Sequence, residues 1–434
     1  MKKIYLILLS FLVVATYAQR PVPAEPQTKP IALTGATAHL GDGTVIQNAV
    51  IGFDKGKLTI VTSASGNPNL SGYEIINVEG KHIYPGFILP NTPIGLQEVA
   101  SIRAMNDYNE RGELNPNVRA LISYNTDSEY IPTMRFNGVL LAEATPTGGL
   151  ISGSSAVMEM EGWNWEDAVH TADVGIHLHW PAKMTREFDN ATFTVKDVPN
   201  KEYDQHIQSL TTLFADATAY GAQATKEVNL KLEALQGLFD GTKTLFVHAG
   251  QPKEIIESVR FGQQHGVKRI TLLSGQSAYY VADFLSEHNI PVILPETQEL
   301  PDRGDDDIDM MYKLPYLLTQ AGVTVSLSST GMLGRARNLG FYAGTAAAYG
   351  LSKEEALKTV TLNTAKALGI DKRAGSLEVG KDATLFVSEG DALDYRTNIL
   401  LYAFISGKRV TLPGNQQELY ERYMKKYGLE GEMK

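Results

Sequence analysis

Three histidines carry the strongest chemical signal in the chain. His177 and His179 lie in Val174-Gly175-Ile176-His177-Leu178-His179-Trp180-Pro181, and His248 closes Leu245-Phe246-Val247-His248. Residues two apart on a strand face the same side, so the first pair has spacing suited to a shared metal ion. With His248 it forms a three-imidazole set for Zn²⁺ or another divalent metal. The plainer reading of the same residues is a polar pocket or a strand–helix seam, hydrogen-bonded and metal-free. The chain has no Cys, which removes thiolate ligands and thiol nucleophiles. Asp302, Asp305, Asp306, Asp307 and Asp309 form an acidic loop without the Gly and Glu spacing of a calcium-binding EF-hand loop, and read as a solvated lip. Thr145–Ser155 is rich in Gly and Ser but lacks the Gly-Lys-Ser/Thr ending of a phosphate loop, and reads as a plain loop. No Gly-x-Ser-x-Gly elbow occurs.

The elements that must hold these residues change character along the chain. Ile31–His39, Asn48–Phe53, Leu58–Thr62 and Tyr73–Val78 are short alternating runs between turn signals, the pattern of half-buried antiparallel strands. After Pro85, apolar runs alternate with amphipathic helical stretches, which predicts βα units around a parallel sheet. Strand candidates are Ile83–Leu89, Gly138–Ala142, Ala156–Met160, Val174–Trp180, Leu245–His248, Arg269–Leu273, Pro291–Leu294 and Val323–Leu327. Eight is the number that closes a (β/α)8 barrel. A long helical stretch is expected over Lys201–Phe239. Ser352 and Glu355 make a capping box that opens a helix over Lys353–Leu368. Asp382–Val387, Leu400–Ile405 and Lys408–Thr411 are strands again, and Asn415–Tyr427 is a charged closing helix.

The ends and the composition narrow the setting. Lys2 and Lys3, the apolar Ile4–Val14 and the small-x-small Thr16-Tyr17-Ala18 read as a secretory signal peptide cut after Ala18. The expected location is periplasmic or secreted, with no membrane span. A net charge of -10 argues against nucleic acid as a partner. A chain of 434 residues, 43% hydrophobic, can bury a large core without disulfides.

Three stretches resemble the amidohydrolase superfamily, especially its imidazolonepropionase-like and related secreted bacterial members. Gly80–Ile88 resembles the entry to that family's first barrel strand. Thr361–Ile370 (TLNTAKALGI) resembles its Thr-x-Asn-x-Ala-x-x-Leu-Gly helix end. Gly375–Val387 (GSLEVGKDATLFV), followed by Ser406–Val410, resembles its closing Gly-Lys-Asp-Ala strand. The resemblance implies an α/β fold: a (β/α)8 TIM-like barrel over 85–381 and a small β-sandwich from both chain ends, 31–84 and 382–411. A signal peptide (1–18), a Pro-rich leader (19–30) and a C-terminal helix (412–434) complete the chain.

The resemblance also implies a metal site at the strand ends: two His on strand 1, one each on strands 5 and 6, an Asp on strand 8. Here Leu89, Asn91 and Pro93 stand in the strand 1 motif where its Asp and two His belong. Ser274 stands near the strand 6 His, and Thr330 at the strand 8 Asp. His248 alone matches, at strand 5. The expectation is a superfamily member with a degenerate metal site and no cofactor. It would bind a small-molecule or peptide-like ligand through Asn91, His177, His179, Ser274 and Thr330, or serve as a subunit in a homo-oligomer or beside a metal-intact relative. The alternative is an active hydrolase of non-peptide C–N bonds in cyclic amides or peptide-like substrates, with a metal site rebuilt on His177, His179 and His248. Asn91, Glu98, Arg103, Asp107, Arg119 and Arg135 add polar groups after strand 1, read as surface ion pairs or as a carboxylate-binding lip.

Overall fold

A computed structural model describes residues 22–189, 193–225, 227–301 and 304–429. The expected signal peptide (1–18) and Asp302 lie outside the described residues. Among the described residues no helix is long and apolar enough to cross a membrane.

Both chain ends build one sheet. Its strands are β1 (Ile31–His39), β2 (Val45–Asp54), β3 (Lys57–Ser63), β4 (Glu74–Asn77) and β5 (His82–Pro85), completed after the barrel by Leu385–Ser388, Leu400–Ile405 and Lys408–Arg409. The order from the C-terminal edge is Lys408–Arg409, Leu400–Ile405, Leu385–Ser388, β5, β1, β2, β3, with β4 alongside β1. The sheet curls on itself. Phe53 of β2 and Phe404, four strands away in that order, meet edge to face at 4.9 Å, and the Leu58 N–H donates to the Lys381 carbonyl at 2.9 Å. A single folded sheet thus provides the two layers expected of a sandwich.

The barrel sheet is β6 (Phe87–Thr92), β7 (Val139–Ala144), β8 (Ile151–Glu159), β9 (Val169–His179), then, after the hairpin β10 (Met184–Asp189) and β11 (Thr194–Pro199), β12 (Thr244–His248), β13 (Ile270–Leu273), β14 (Val292–Leu294) and β15 (Val325–Leu327). The remaining sheet strands are then β16 (Leu385–Ser388), β17 (Leu400–Ile405) and β18 (Lys408–Arg409). β7 and β8 are buried at every position, as strands covered on both faces must be. Seven of the eight strands run parallel, but β8 is antiparallel to both β7 and β9. The expected loop Thr145–Ser155 is therefore loop only to Leu150, and Ile151 onward is barrel wall. The sheet nearly closes through the segment after the helix Lys353–Lys358. Leu327 N–H donates to Thr359 O and Ile88 N–H to Val360 O, both at 2.9 Å, and Ser328 Oγ donates to Pro90 O at 2.6 Å.

Several element boundaries differ from expectation: β8 and β9 start earlier than Ala156 and Val174, β16 starts at Leu385 instead of Asp382, and three further differences have clear local causes. The run Ile83–Leu89 divides at Gly86, with β5 in one sheet and β6 in the other. A Cβ on Gly86 would lie 2.9 Å from both Leu140 and Thr384 side chains, so only Gly passes this crossing. The expected helix over 201–239 is Tyr203–Gly221 followed by two short helices, Leu230–Ala234 and Gln236–Asp240. The helix opened by the Ser352–Glu355 capping box stops at Lys358, and Leu362–Leu368 is a separate helix. Asn415–Tyr427 is helical as expected.

One buried carboxyl pins the two sheets together. Asp382, of the Gly-Lys-Asp-Ala run, takes Lys57 of β3 on Oδ1. Its Oδ2 takes His170 of β9 at 3.0 Å and Arg373 at 2.9 Å. Burial alone would raise this carboxyl, but the bonds from His170 and Lys57 and the Arg373 charge bring it down to about 2.

Candidate functional site at the barrel mouth

The C-terminal ends of β6, β7, β9 and β12, with the antiparallel β8 between β7 and β9, surround a carboxyl that the sequence motifs do not mark. Glu143, near the end of β7, is fully buried. Its Oε2 accepts the Asn91 backbone N–H at 2.9 Å, and its Oε1 accepts the Ser155 hydroxyl at 2.6 Å. His177 Nε2 lies 3.2 Å from the same Oε1. Because this oxygen accepts, His177 carries its proton on Nε2 and leaves Nδ1 as an acceptor. His248 Nε2 is 2.9 Å from that Nδ1 and donates to it. A chain runs from carboxyl to imidazole to imidazole.

Local structure explains the arrangement. Asn91 has φ +50°, a left-handed conformation that Asn tolerates, and the β6–β7 register slips between Leu89 and Thr92. That kink turns the Asn91 N–H out of the ladder toward Glu143. The β9–β12 register sets His179 beside His248 and His177 beside Phe246. His177 stacks on Phe246 with centroids 4.7 Å apart, and His179 on His248 at 4.1 Å and 22°.

The three histidines thus gather on one side, as the strand alternation predicts, but not as a metal cage. His177 spends both ring nitrogens inside the protein. His179 and His248 lie nearly parallel, so their in-plane lone pairs occupy stacked planes instead of meeting at one point. Among the described residues no group of three His, Asp or Glu is disposed to hold a metal ion. The residues as placed do not fit the three-His ion of the rebuilt-site alternative. Burial first, then the His179 and His177 charges, holds His248 well below the usual histidine value. Burial and then His177 bring His179 to about 4. Both rings are neutral at pH 7.

On the far side, the segments after β14 and β15 hold a second carboxyl surrounded by donors. Glu296, two residues past β14, accepts from Ser329 Oγ at 2.9 Å, Thr330 Oγ1 at 3.2 Å and the Gly331 N–H at 2.7 Å. Burial would raise its carboxyl, yet the bonds from Gly331, its own backbone and Ser329 lower it. Thr330, the residue expected in place of the strand 8 Asp, is thus bonded to a Glu from the segment after the neighbouring strand β14. Ser274 Oγ, Gln276 Oε1 and His179 Nε2 are buried and have no hydrogen-bond partner among the described residues.

Of the other candidates, Arg119 pairs with Asp173 at 2.7 Å and Arg135 with Glu161 in a buried bond. Both are engaged with acids of the same chain. Asp307 of the acidic loop pairs with Lys313. Glu143, Ser155 and Glu296 were not singled out from the sequence. The signal available was a Glu inside an otherwise apolar strand, Val139-Leu140-Leu141-Ala142-Glu143-Ala144, where a charge needs partners.

Comparison with known proteins agrees with this architecture. The Amidohydrolase family model matches residues 233–410. An imidazolonepropionase from Shewanella frigidimarina is 26% identical over 269 residues, covering 56% of this chain and 58% of that one. The chain thus spans little more than half of that relative's length. An amidohydrolase from Thermotoga maritima shares the fold with TM-score 0.76 at 22% identity, over 88% of this chain and 99% of that one. A putative prolidase from Bifidobacterium longum follows at TM-score 0.52 and 18% identity, over 92% and 100%. Together these matches support the amidohydrolase superfamily, in its imidazolonepropionase-like branch.

Proposed function

We propose that this chain is an exported amidohydrolase-fold protein that has given up the superfamily's divalent-metal hydrolysis and binds a small or peptide-like ligand at the barrel mouth. One observation carries the reading. At the end of β6, where the family places two His, the chain presents Asn91 and Pro93, and the Asn91 N–H is spent on Glu143. The Glu143 carboxyl is in turn filled by Ser155 and His177. A carboxyl already taken by three donors is a poor ligand for an incoming ion.

What the mouth does offer is uncharged. The His179 Nε2, the Ser274 hydroxyl and the Gln276 carboxamide oxygen are buried atoms with hydrogen bonds still to make, and the His179 and His248 rings are neutral. Buried polar atoms without partners cost stability unless something bonds to them, which supports an amide-like, neutral ligand. The export reading rests on the Lys2–Ala18 pattern of the sequence.

The rival, an active C–N hydrolase on a rebuilt metal site, draws support from the clustering of His177, His179 and His248. A single experiment separates the two. The mature protein is purified without chelators, and Zn, Mn and Fe per chain are measured by mass spectrometry before and after reconstitution. The proposal expects metal far below one ion per chain both before and after reconstitution. Near-stoichiometric metal that disappears in His248→Ala overturns the proposal.

A further inference from the structure

The hairpin β10–β11 stands away from the body. It leaves the barrel just after His179 and returns to the helix Tyr203–Gly221. Its base is fixed by Asn200, whose N–H donates to Lys183 O and whose Nδ2 donates to Ala182 O, both at 2.8 Å. Above that base the two strands pair only with each other. Met184 is 49% exposed, Phe188 51%, Phe193 80% and Val195 60%. The register puts Met184 opposite Pro199, Arg186 opposite Asp197 and Phe188 opposite Val195, so these six side chains share one face. Phe193 reaches Phe188 edge to face at 6.2 Å. An isolated two-stranded ribbon is at best marginally stable in water, and a contiguous apolar face on it marks an interaction surface.

We infer that this face is a self-association surface, and that its occupant is the same hairpin of a second copy. The argument is charge complementarity. The face carries one cation and one anion, Arg186 and Asp197, side by side on neighbouring strands 4.0 Å apart. It is locally neutral on a chain of net charge -10, so two copies meet there without repulsion, while a strongly charged partner or an anionic surface finds nothing to match. A twofold axis parallel to the strands lays each β10 over the partner's β11. That operation sets Arg186 of each copy over Asp197 of the other, Phe188 over Val195, and Met184 over Pro199. A twofold across the strands would instead put Arg186 on Arg186. An isologous contact of the first kind satisfies every group on the face twice. Four apolar side chains per copy bury much less than the roughly 800 Å² per partner of a standard interface, so association in the micromolar range is expected.

Sedimentation velocity on the mature full chain, from about 1 to 200 μM, tests this. A concentration-dependent dimer is expected, abolished by Phe188→Ser and by Arg186→Asp or Asp197→Arg alone. The double variant Arg186→Asp/Asp197→Arg restores it, because each swapped charge again faces its opposite. Thermal melts of all four variants check that they are folded, and the exposure of these side chains leaves little reason for them to unfold. A monomer throughout the range overturns the inference. So does a dimer untouched by the single charge reversals. A monomer whose hairpin amides are protected from hydrogen exchange also overturns it, by placing the face against its own barrel mouth.

Discussion

Two buried carboxyls, Asp382 at the seam between the sheets and Glu143 at the barrel mouth, each gather three partners, but of different kinds. Asp382 bonds two permanent cations, Lys57 and Arg373, besides His170. Glu143 bonds a peptide N–H, a hydroxyl and an imidazole. The seam is an ion-pair junction within a stretch that matches the family pattern. The mouth is a neutral-donor network within a stretch that departs from it. The fold and the chemistry of a site rest on separate sets of residues, and in the function proposed above the first set stands while the second has been rewritten.

If that contrast is real, removing the seam carboxyl costs the most. Asp382→Ala leaves Lys57, Arg373 and His170 facing one another without an anion. Breaking a fully buried pair costs about 3–5 kcal/mol, and because Lys57 and Arg373 are half-exposed while His170 is not, a loss of about 3 kcal/mol is expected. Urea denaturation should show this loss together with easier proteolysis of the strands β16–β18. A loss below about 1 kcal/mol would mean the junction is held by apolar packing alone. Glu143→Ala comes next. It strands the Asn91 N–H, the Ser155 hydroxyl and the His177 ring, and about 2–3 kcal/mol is expected if solvent reaches one of the three. Glu143→Gln keeps an acceptor oxygen and should recover most of that. Equal losses for the two variants would show that the network needs the charge and not the bonds.

Acid separates the regions by pH window. His179 and His248 have folded values below their unfolded 6.5, so the unfolded chain takes up protons first. Their contribution is complete above about pH 6.5 and falls with pH below it, that of His179 toward about pH 4, at up to about 1.4 kcal/mol per pH unit for each group. Asp382 is depressed to about 2. Its contribution is complete above about pH 4 and is lost between there and pH 2. Stability against pH should therefore fall in two limbs. His179→Phe should flatten the upper limb, and Asp382→Asn the lower. A single limb below pH 4 would remove the neutral-imidazole account of the mouth.

Much of the seam was legible in the sequence because its signal is local. Gly-Lys-Asp-Ala at a fixed distance from the chain end points to the strand that follows it, β16, although Asp382 itself lies just before that strand and its partners are not marked in the sequence. The mouth was legible only as a set of replacements. Asn91, Ser274 and Thr330 could be placed at strand ends, and the two-residue spacing of His177 and His179 correctly put both rings on the side of His248. The two carboxyls at the mouth were invisible, because Glu143 and Glu296 come from β7 and from the segment after β14, next to the strands that carry the motifs. Ser155 reaches Glu143 only because β8 runs backward between β7 and β9. Nothing in Ile151–Glu159 announces direction, since a strand buried on both faces has no alternation to read. The break of the 201–239 helix was similarly hidden, as Gln223 to Asn229 contains no Pro.

The smallest expected effect is also the sharpest test of the rewritten mouth. Thr330→Asp returns the acid that the family pattern expects at the end of β15. Were the position merely vacant, the change would be neutral, as most exposed polar substitutions are. Glu296 makes it otherwise. Its Oε2 already lies 3.2 Å from the Thr330 hydroxyl, so the new carboxylate loses a donor and meets a like charge. A destabilisation of about 1 kcal/mol is expected, by analogy with lost side-chain hydrogen bonds. It should shrink at pH 4, where the introduced acid is partly protonated. It should also vanish in Thr330→Asp/Glu296→Gln, where an amide can donate to the new carboxylate. If Thr330→Asp proves neutral at pH 7 in both backgrounds, Glu296 does not fill the place of the missing acid, and the strand 8 site is open to being rebuilt.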